Sequence, residues 1–198
     1  MIFTKYSFDD VFIDDRNLKY NNQFDMTAKD TIAAKSDRQL LITAGILLGL
    51  GQAGFFDGIF FHQLLQWHHM FTNIESGETV AGLELNTLGD GIFHVVDWLF
   101  TLSGIIVLWN AVKRENVILS TSTLIGSFCI GAGSFNIVEG ILSHHVFQIH
   151  HVKPGEHQLA WDLSFIAAGI VSAIIGWIII AHANATTQNN TERSKVND

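Results

Sequence analysis

Four long apolar stretches constrain this chain more than any other feature. They run from Leu40 to about Phe61, Gly91 to Trp109, Val117 to Ser143, and Leu159 to Ala181. Each reaches the roughly 20 residues that carry a helix across a hydrocarbon core about 30 Å thick. A soluble helical protein can bury one such stretch, but four with almost no Lys or Arg inside them point to lipid as the solvent. The expected fold is therefore all-α, a four-helix transmembrane bundle with membrane lipid as its surroundings. Composition agrees, because charged residues make up only 15%, where a soluble domain carries about a quarter. Small residues recur inside the spans, at Gly45, Gly49 and Gly51 and again at Gly126, Gly131 and Gly133, where they let helix backbones approach closely.

The flanks differ from this middle. Residues 1–37 hold seven Asp against five basic residues and no apolar run of signal-peptide length. They read as a mostly disordered cytoplasmic tail, the other reading being an amphipathic segment on the membrane surface through Phe3, Tyr6, Phe8, Val11 and Phe12. Residues 38–183 form the membrane domain, and 184–198 read as a second polar, disordered tail. Basic residues cluster before the first span, between the second and third, and after the fourth, while Lys153 alone lies in the other two loops. The positive-inside rule then puts both termini in the cytoplasm and residues 70–89 and 150–157 outside. A net charge of −8 argues against nucleic acid, and the single cysteine, Cys129, excludes a disulfide framework, a zinc ribbon and a CxxC pair.

The chain also repeats itself. Asp57 to His69 reads DGIFFHQLLQWHH and Glu139 to His151 reads EGILSHHVFQIHH, with six of thirteen positions identical, among them His62/His144, Gln66/Gln148, His68/His150 and His69/His151. Further on, Asp97 is aligned with Asp162 and Gly104 with Gly169. A duplicated helical hairpin is expected, its two copies related by a pseudo-twofold axis along the membrane normal. That axis would bring the equivalent histidines face to face.

The run GFFDGIFFHQLLQWHHM (54–70), the DGIFH of 90–94 with Asp97-Trp98, and FNIVEGILSHH (135–145) with IHHV (149–152) and Trp161-Asp162 resemble a bacterial family of small four-span membrane proteins catalogued as a domain of unknown function. The resemblance covers residues 38–183. It implies a multi-pass protein of the bacterial inner membrane and carries no activity.

Ionisable groups in a spanning helix cost about 2.5–3.5 kcal/mol each on insertion scales, so they mark function. Asp57, Asp90, Asp97, Glu139 and Asp162 lie in or beside the spans with no intramembrane Lys or Arg to neutralise them. A bound metal cation, or protons, would. Asp90, His94 and Asp97 share a helix face, as do His62, Gln66 and His69, and His144, Gln148 and His151. On an ideal helix Asp57 sits about 140° from His62, so a long side chain or a local distortion at Gly58 is needed to bring both to one ion. The candidate metal ligands are Asp57, His62, His68, His69, His94, Asp97, Glu139, His144, His145, His150, His151 and Asp162, with His157 and His182 left outside. Imidazole and carboxylate suit zinc, iron or copper(II), and a cluster of this size has room for two or three ions. Asp90 reads either as an N-cap or, with Gln66 and Gln148, as a group that orients or deprotonates a metal-bound water. The tryptophans at 67, 98, 109, 161 and 177 read as interfacial anchors.

Three function classes follow. The first is a membrane metalloenzyme acting on a small molecule at the outer face, hydrolytic if the metal is zinc and oxidative if it is iron or copper. The second is a b-type haem electron carrier ligated by His62 and His144. The third is a metal or proton transporter, for which four spans would call for a homodimer.

Overall fold

The computed structural model describes residues 38–114 and 119–197, with side chains as far as Thr186; the tail expected over residues 1–37 lies outside them. Four helices are long and apolar enough to cross a membrane: α1 (Arg38–Leu64), α2 (Val80–Val112), α3 (Thr121–Val146) and α4 (Gln158–Asn197), the last apolar as far as Thr186. No strand occurs among the described residues, as the all-α expectation requires.

Two boundaries differ from the hydropathy reading. Helix α2 starts at Val80 rather than Gly91, where the Thr79 hydroxyl accepts from the Gly82 N–H at 3.0 Å. Its extra turns are polar enough to escape a hydropathy window, yet Asn86 fastens them: its amide donates to the carbonyls of Glu75 and Gly82, and its oxygen accepts from the Phe71 N–H. Asp90 is consequently mid-helix and not an N-cap, and Trp98 stands near the middle of α2 rather than at an end. Helix α4 runs on to Asn197, so the stretch from Asn184 is helical where disorder was expected; it contains neither Gly nor Pro to stop a helix already under way.

The burial pattern is inverted relative to a water-soluble bundle. The largest fully buried side chains are His62, His68, His144, His150, Asn86, Asp57, Asp97, Asp162 and Ser127, whereas Leu64, Trp177 and Val80 stand more than three-fifths exposed. In lipid, apolar surface gains little by turning inward, so backbone packing and polar contacts hold helices together. Gly49 and Gly131 provide that packing between α1 and α3. A Cβ on Gly49 would meet the Phe128 carbonyl and the Ala132 nitrogen, and one on Gly131 would meet the Ile46 carbonyl.

Contacts recur between the two hairpins. Gly104 of α2 lies against Leu48 of α1, and Gly176 of α4 lies against Ile130 of α3; Gly58 faces His94, and Gly140 faces Ile166. This register pairs Gly104 with Gly176 and Asp90 with Asp162. These contacts do not match the alignment of Asp97 with Asp162 and of Gly104 with Gly169; the polar start of α2 shifts the contacts away from a comparison anchored on apolar runs.

Candidate metal centre

The site is built on two distorted helix ends. From Gly58 to Leu64, and again from Gly140 to Val146, the last turns of α1 and α3 widen into π-helix. The widened turns close with Leu65 N–H to Phe60 O and Phe147 N–H to Leu142 O, both at 2.8 Å. An i to i+5 bond brings residues five apart onto one side, and such turns gather at functional sites. Asp57 and His62 are five apart, as are Glu139 and His144. A local distortion at Gly58 is therefore present, and it brings His62 Nε2 to 3.2 Å from Asp57 Oδ2 and His144 Nε2 to 3.3 Å from Glu139 Oε2.

Beyond each π-turn the chain reverses at Gln66 (φ 49°) and Gln148 (φ 50°), left-handed conformations uncommon outside glycine. The reversal folds His68 and His150 back over the helix ends. Their rings stack at 4.6 Å and 9°, with His62 4.4 Å from His68 and His144 5.0 Å from His150. Among the described residues two trios, His62–His68–His150 and Glu139–His144–His150, each bring one ligand atom per residue to within 4.8 Å of one another. These trios hold four imidazoles and the Glu139 carboxylate, and Asp57 joins them through its 3.2 Å approach to His62 Nε2, so six groups come from two helix ends and the two loops that follow them.

What the outward-facing ring nitrogens do fixes what the inner ones offer. His68 Nδ1 lies 2.8 Å from the Val152 carbonyl and His150 Nδ1 lies 3.1 Å from the Met70 carbonyl. A carbonyl only accepts, so each Nδ1 carries the proton and donates it. His62 Nδ1 faces Asp90 Oδ1 at 2.7 Å, and His144 Nδ1 stands 3.5 Å from Asp162 Oδ1. In neutral rings of His62, His68 and His150 the Nε2 lone pairs are then left for the interior, the arrangement by which an outer oxygen orients a metal-binding histidine, whereas His144 Nδ1 is buried without a hydrogen bond. Several inner atoms have no hydrogen bond at all: both Asp57 oxygens, Glu139 Oε2, and Nε2 of His62, His68 and His144. His150 Nε2 lies 2.9 Å from Glu139 Oε1; with the ring proton on Nδ1 neither atom supplies a hydrogen to the other, so this contact calls for an added proton or a cation between them. The 3.2 Å approach of His62 to Asp57 is close without hydrogen-bond alignment, as when two groups point at a common third point. Buried polar atoms are otherwise paired in more than about nine cases in ten. Burial, with His150 and His62 beside it, pushes the His68 imidazole far below its ordinary range, so it stays neutral and able to ligate.

Asp90 and Asp162 form an outer layer. Asp90 accepts from His62 Nδ1, from His69 Nδ1 at 2.7 Å and from the Met70 N–H at 2.9 Å. Asp162 accepts from His151 Nδ1 at 2.7 Å and from the Val152 N–H at 2.9 Å. With their oxygens taken, Asp162, His69 and His151 sit behind the inner six rather than among them.

The remaining candidates are placed elsewhere. His94 and Asp97 pair with each other at 3.6 Å, and Gln63 reaches His94 Nε2 at 3.0 Å; the register sets Ile166 and Gly169 opposite them in the other hairpin, so this pair belongs to one half only. His145 Nε2 is buried without a hydrogen bond at the position matching Gln63. Gln66 and Gln148 are exposed; they turn the chain, and this removes the structural basis for giving them a metal-bound water. His157 is an exposed left-handed loop residue (φ 67°) and His182 is exposed on α4. Sequence reasoning missed that Asp90 and Asp162 are counterparts, although Asp-x-x-Phe at 90–93 and 162–165 marks it: Phe93 and Phe165 each lie 5.5 Å from their own hairpin's histidine, His62 or His144. The carbonyls of Met70 and Val152 leave no trace in side-chain patterns.

No curated protein and no solved structure matches the chain. Residues 44–183, most of the chain, match the family described as "Predicted membrane protein (DUF2243)", and the matched stretch contains both π-turns and all six converging side chains. The chain belongs to this family of predicted membrane proteins.

Proposed function

We propose that this chain is an integral membrane metalloprotein whose two hairpins are copies of one another. Each would supply half of a two-ion centre, Asp57, His62 and His68 in one half and Glu139, His144 and His150 in the other. Two histidines and one carboxylate are the ligand set of catalytic zinc sites and of non-haem iron(II) sites, which keep further coordination positions open for water or substrate. The open positions make a metalloenzyme the best-supported reading, hydrolytic with zinc and oxidative with iron or copper. The observation that carries it is the set of buried inner nitrogens and oxygens without hydrogen bonds, with His62, His68 and His150 each hydrogen-bonded to an oxygen on the other ring nitrogen and His144 Nδ1 3.5 Å from Asp162. Haem is disfavoured because the four rings stand in contact, as close as 4.4 Å between centroids, with no slot for a macrocycle. By the positive-inside rule the centre lies toward the outer face and both termini lie in the cytoplasm, in a bacterial inner membrane. Elemental analysis of gently purified protein tests the reading. We expect stoichiometric zinc, iron or copper, lost when both His68→Ala and His150→Ala are introduced; protein free of transition metal as isolated, which also takes up none on titration, would refute it.

A further inference from the structure

We infer that a lateral pocket beside this centre admits a membrane-dissolved molecule with a hydroxyl-bearing aromatic head; the inference rests on the metalloprotein reading and names its substrate class. A cavity of about 490 Å³ opens between α1, α3 and α4, within the size range of small-molecule sites. Its wall is apolar and aromatic, with Phe56, Phe61, Phe128 and Phe165 among its members, and the single ionisable side chain in it is Asp57. The same carboxylate belongs to the six converging groups, and both of its oxygens are buried without a hydrogen bond. One polar group at the end of an aromatic pocket orients a ligand by its head. A carboxylate, or an ion it holds, selects a hydroxyl.

The depth of the pocket decides where the ligand comes from. At the loop end Trp67 and Trp161 pack 5.2 Å apart with the Lys153 ammonium over both rings, at 4.7 and 5.5 Å. From there the wall descends along the helices to Gln52, Phe128 and Ser172, within the spans. Phe56, on the wall, is half exposed on the surface that faces lipid. The medium around the pocket is therefore the bilayer, and its natural ligand is one that partitions there.

The two hairpins show that the pocket is a specific difference between halves with the same cradle. On the opposite side Phe135 of α3 packs against Phe93 of α2, ring centroids 6.0 Å apart. In the hairpin register Ala53 is the counterpart of Phe135 and Phe165 that of Phe93, and Ala53 and Phe165 both line the cavity. An alanine in place of a phenylalanine leaves the space. Ala132 enlarges it in the same way, since its counterpart is Leu50.

The test uses the full chain in lipid nanodiscs with radiolabelled 4-decylphenol as the probe, empty nanodiscs giving the partitioning background. Wild-type protein is expected to show one saturable site per chain, and decylbenzene, which lacks the hydroxyl, to compete at least tenfold more weakly. Ala53→Phe should weaken 4-decylphenol binding at least tenfold with metal content unchanged. Ala132→Leu, which borrows a side chain the fold already accepts at the matching position, should do the same if Ala53→Phe fails to fold. Absence of a saturable site, equal binding in wild type and a folded filled variant, or equal competition by decylbenzene would overturn the inference. Saturable, variant-sensitive binding to protein that takes up no metal would sustain the pocket and refute the metal reading instead.

Discussion

Substituting Asp90 by Asn tests whether the outer layer supports a metal centre or merely fills a polar core. The Asp90 carboxylate accepts from His62 Nδ1 at 2.7 Å, His69 Nδ1 at 2.7 Å and the Met70 N–H at 2.9 Å. An amide keeps one acceptor oxygen and turns an NH2 group toward a donor, so at least one of these bonds is lost. A hydrogen bond to a charged group is worth about 1.5–3 kcal/mol, and tenfold in affinity is about 1.4 kcal/mol. The expected weakening of metal binding is therefore about 10- to 100-fold, the range typical of such outer partners. Competition against a chromophoric chelator reads it directly, with far-ultraviolet circular dichroism confirming that the helices persist. Asp97→Asn is the control, since Asp97 is equally buried but pairs with His94; it should leave affinity unchanged. Wild-type affinity in folded Asp90→Asn, or equal losses in Asp90→Asn and Asp97→Asn, would refute the reasoning.

On the other half, Asp162→Asn should weaken metal binding by less than Asp90→Asn, because His144 Nδ1 stands 3.5 Å from Asp162 where His62 Nδ1 stands 2.7 Å from Asp90; the same competition assay compares them. Gly49→Val should cost about 1–3 kcal/mol through overpacking, since its side chain would meet the backbone of α3 at Phe128 and Ala132, and because α1 and α3 carry one half-site each, metal content should fall with it. His182→Ala should leave metal content unchanged, since His182 is exposed on α4. Ser76→Cys and Ser194→Cys, made without Cys129, should be labelled by impermeant maleimide from opposite sides of the membrane; same-side labelling would overturn the topology read from the basic residues.

The helices and the inner histidines and acids were legible in sequence for different reasons. Apolar length announces a span whatever the neighbours are, so α1 to α4 could be placed, with errors at the start of α2, where Asn86 and Asp90 interrupt the hydropathy, and at the end of α4, where the helix runs on past its apolar part. The repeated D/E-G-I-x-x-H pattern marked Asp57, His62, Glu139 and His144, the acids and histidines that the π-turns bring together. It did not separate the inner histidines from the outer ones. His68 and His69 are adjacent, and only the left-handed turn at Gln66 sends the first inward to the cluster and the second to Asp90. Nor does ideal helical geometry show which acid meets which histidine, since it separates Asp57 from His62 and the π-turn reunites them.

With neutral imidazoles and ionised carboxylates, charge balance sets an expected number of ions. No Lys or Arg occurs in α1 after Arg38, in α2, in α3, or in α4 before residue 187, so bound metal or protons must offset the acids of the centre. Asp57 and Glu139 lie inside the cluster and Asp90 and Asp162 against it, all within the spans. With neutral imidazoles these four carboxylates leave a charge of −4, and low-dielectric surroundings penalise any excess. One divalent ion would leave half of that charge uncompensated, whereas one in each half cancels it and uses each histidine pair and its carboxylate once. Two divalent ions per chain are therefore expected from metal titration followed by elemental analysis. Saturation at a single ion, with the second histidine pair still open to carbethoxylation, would show that the halves differ in use although they match in form.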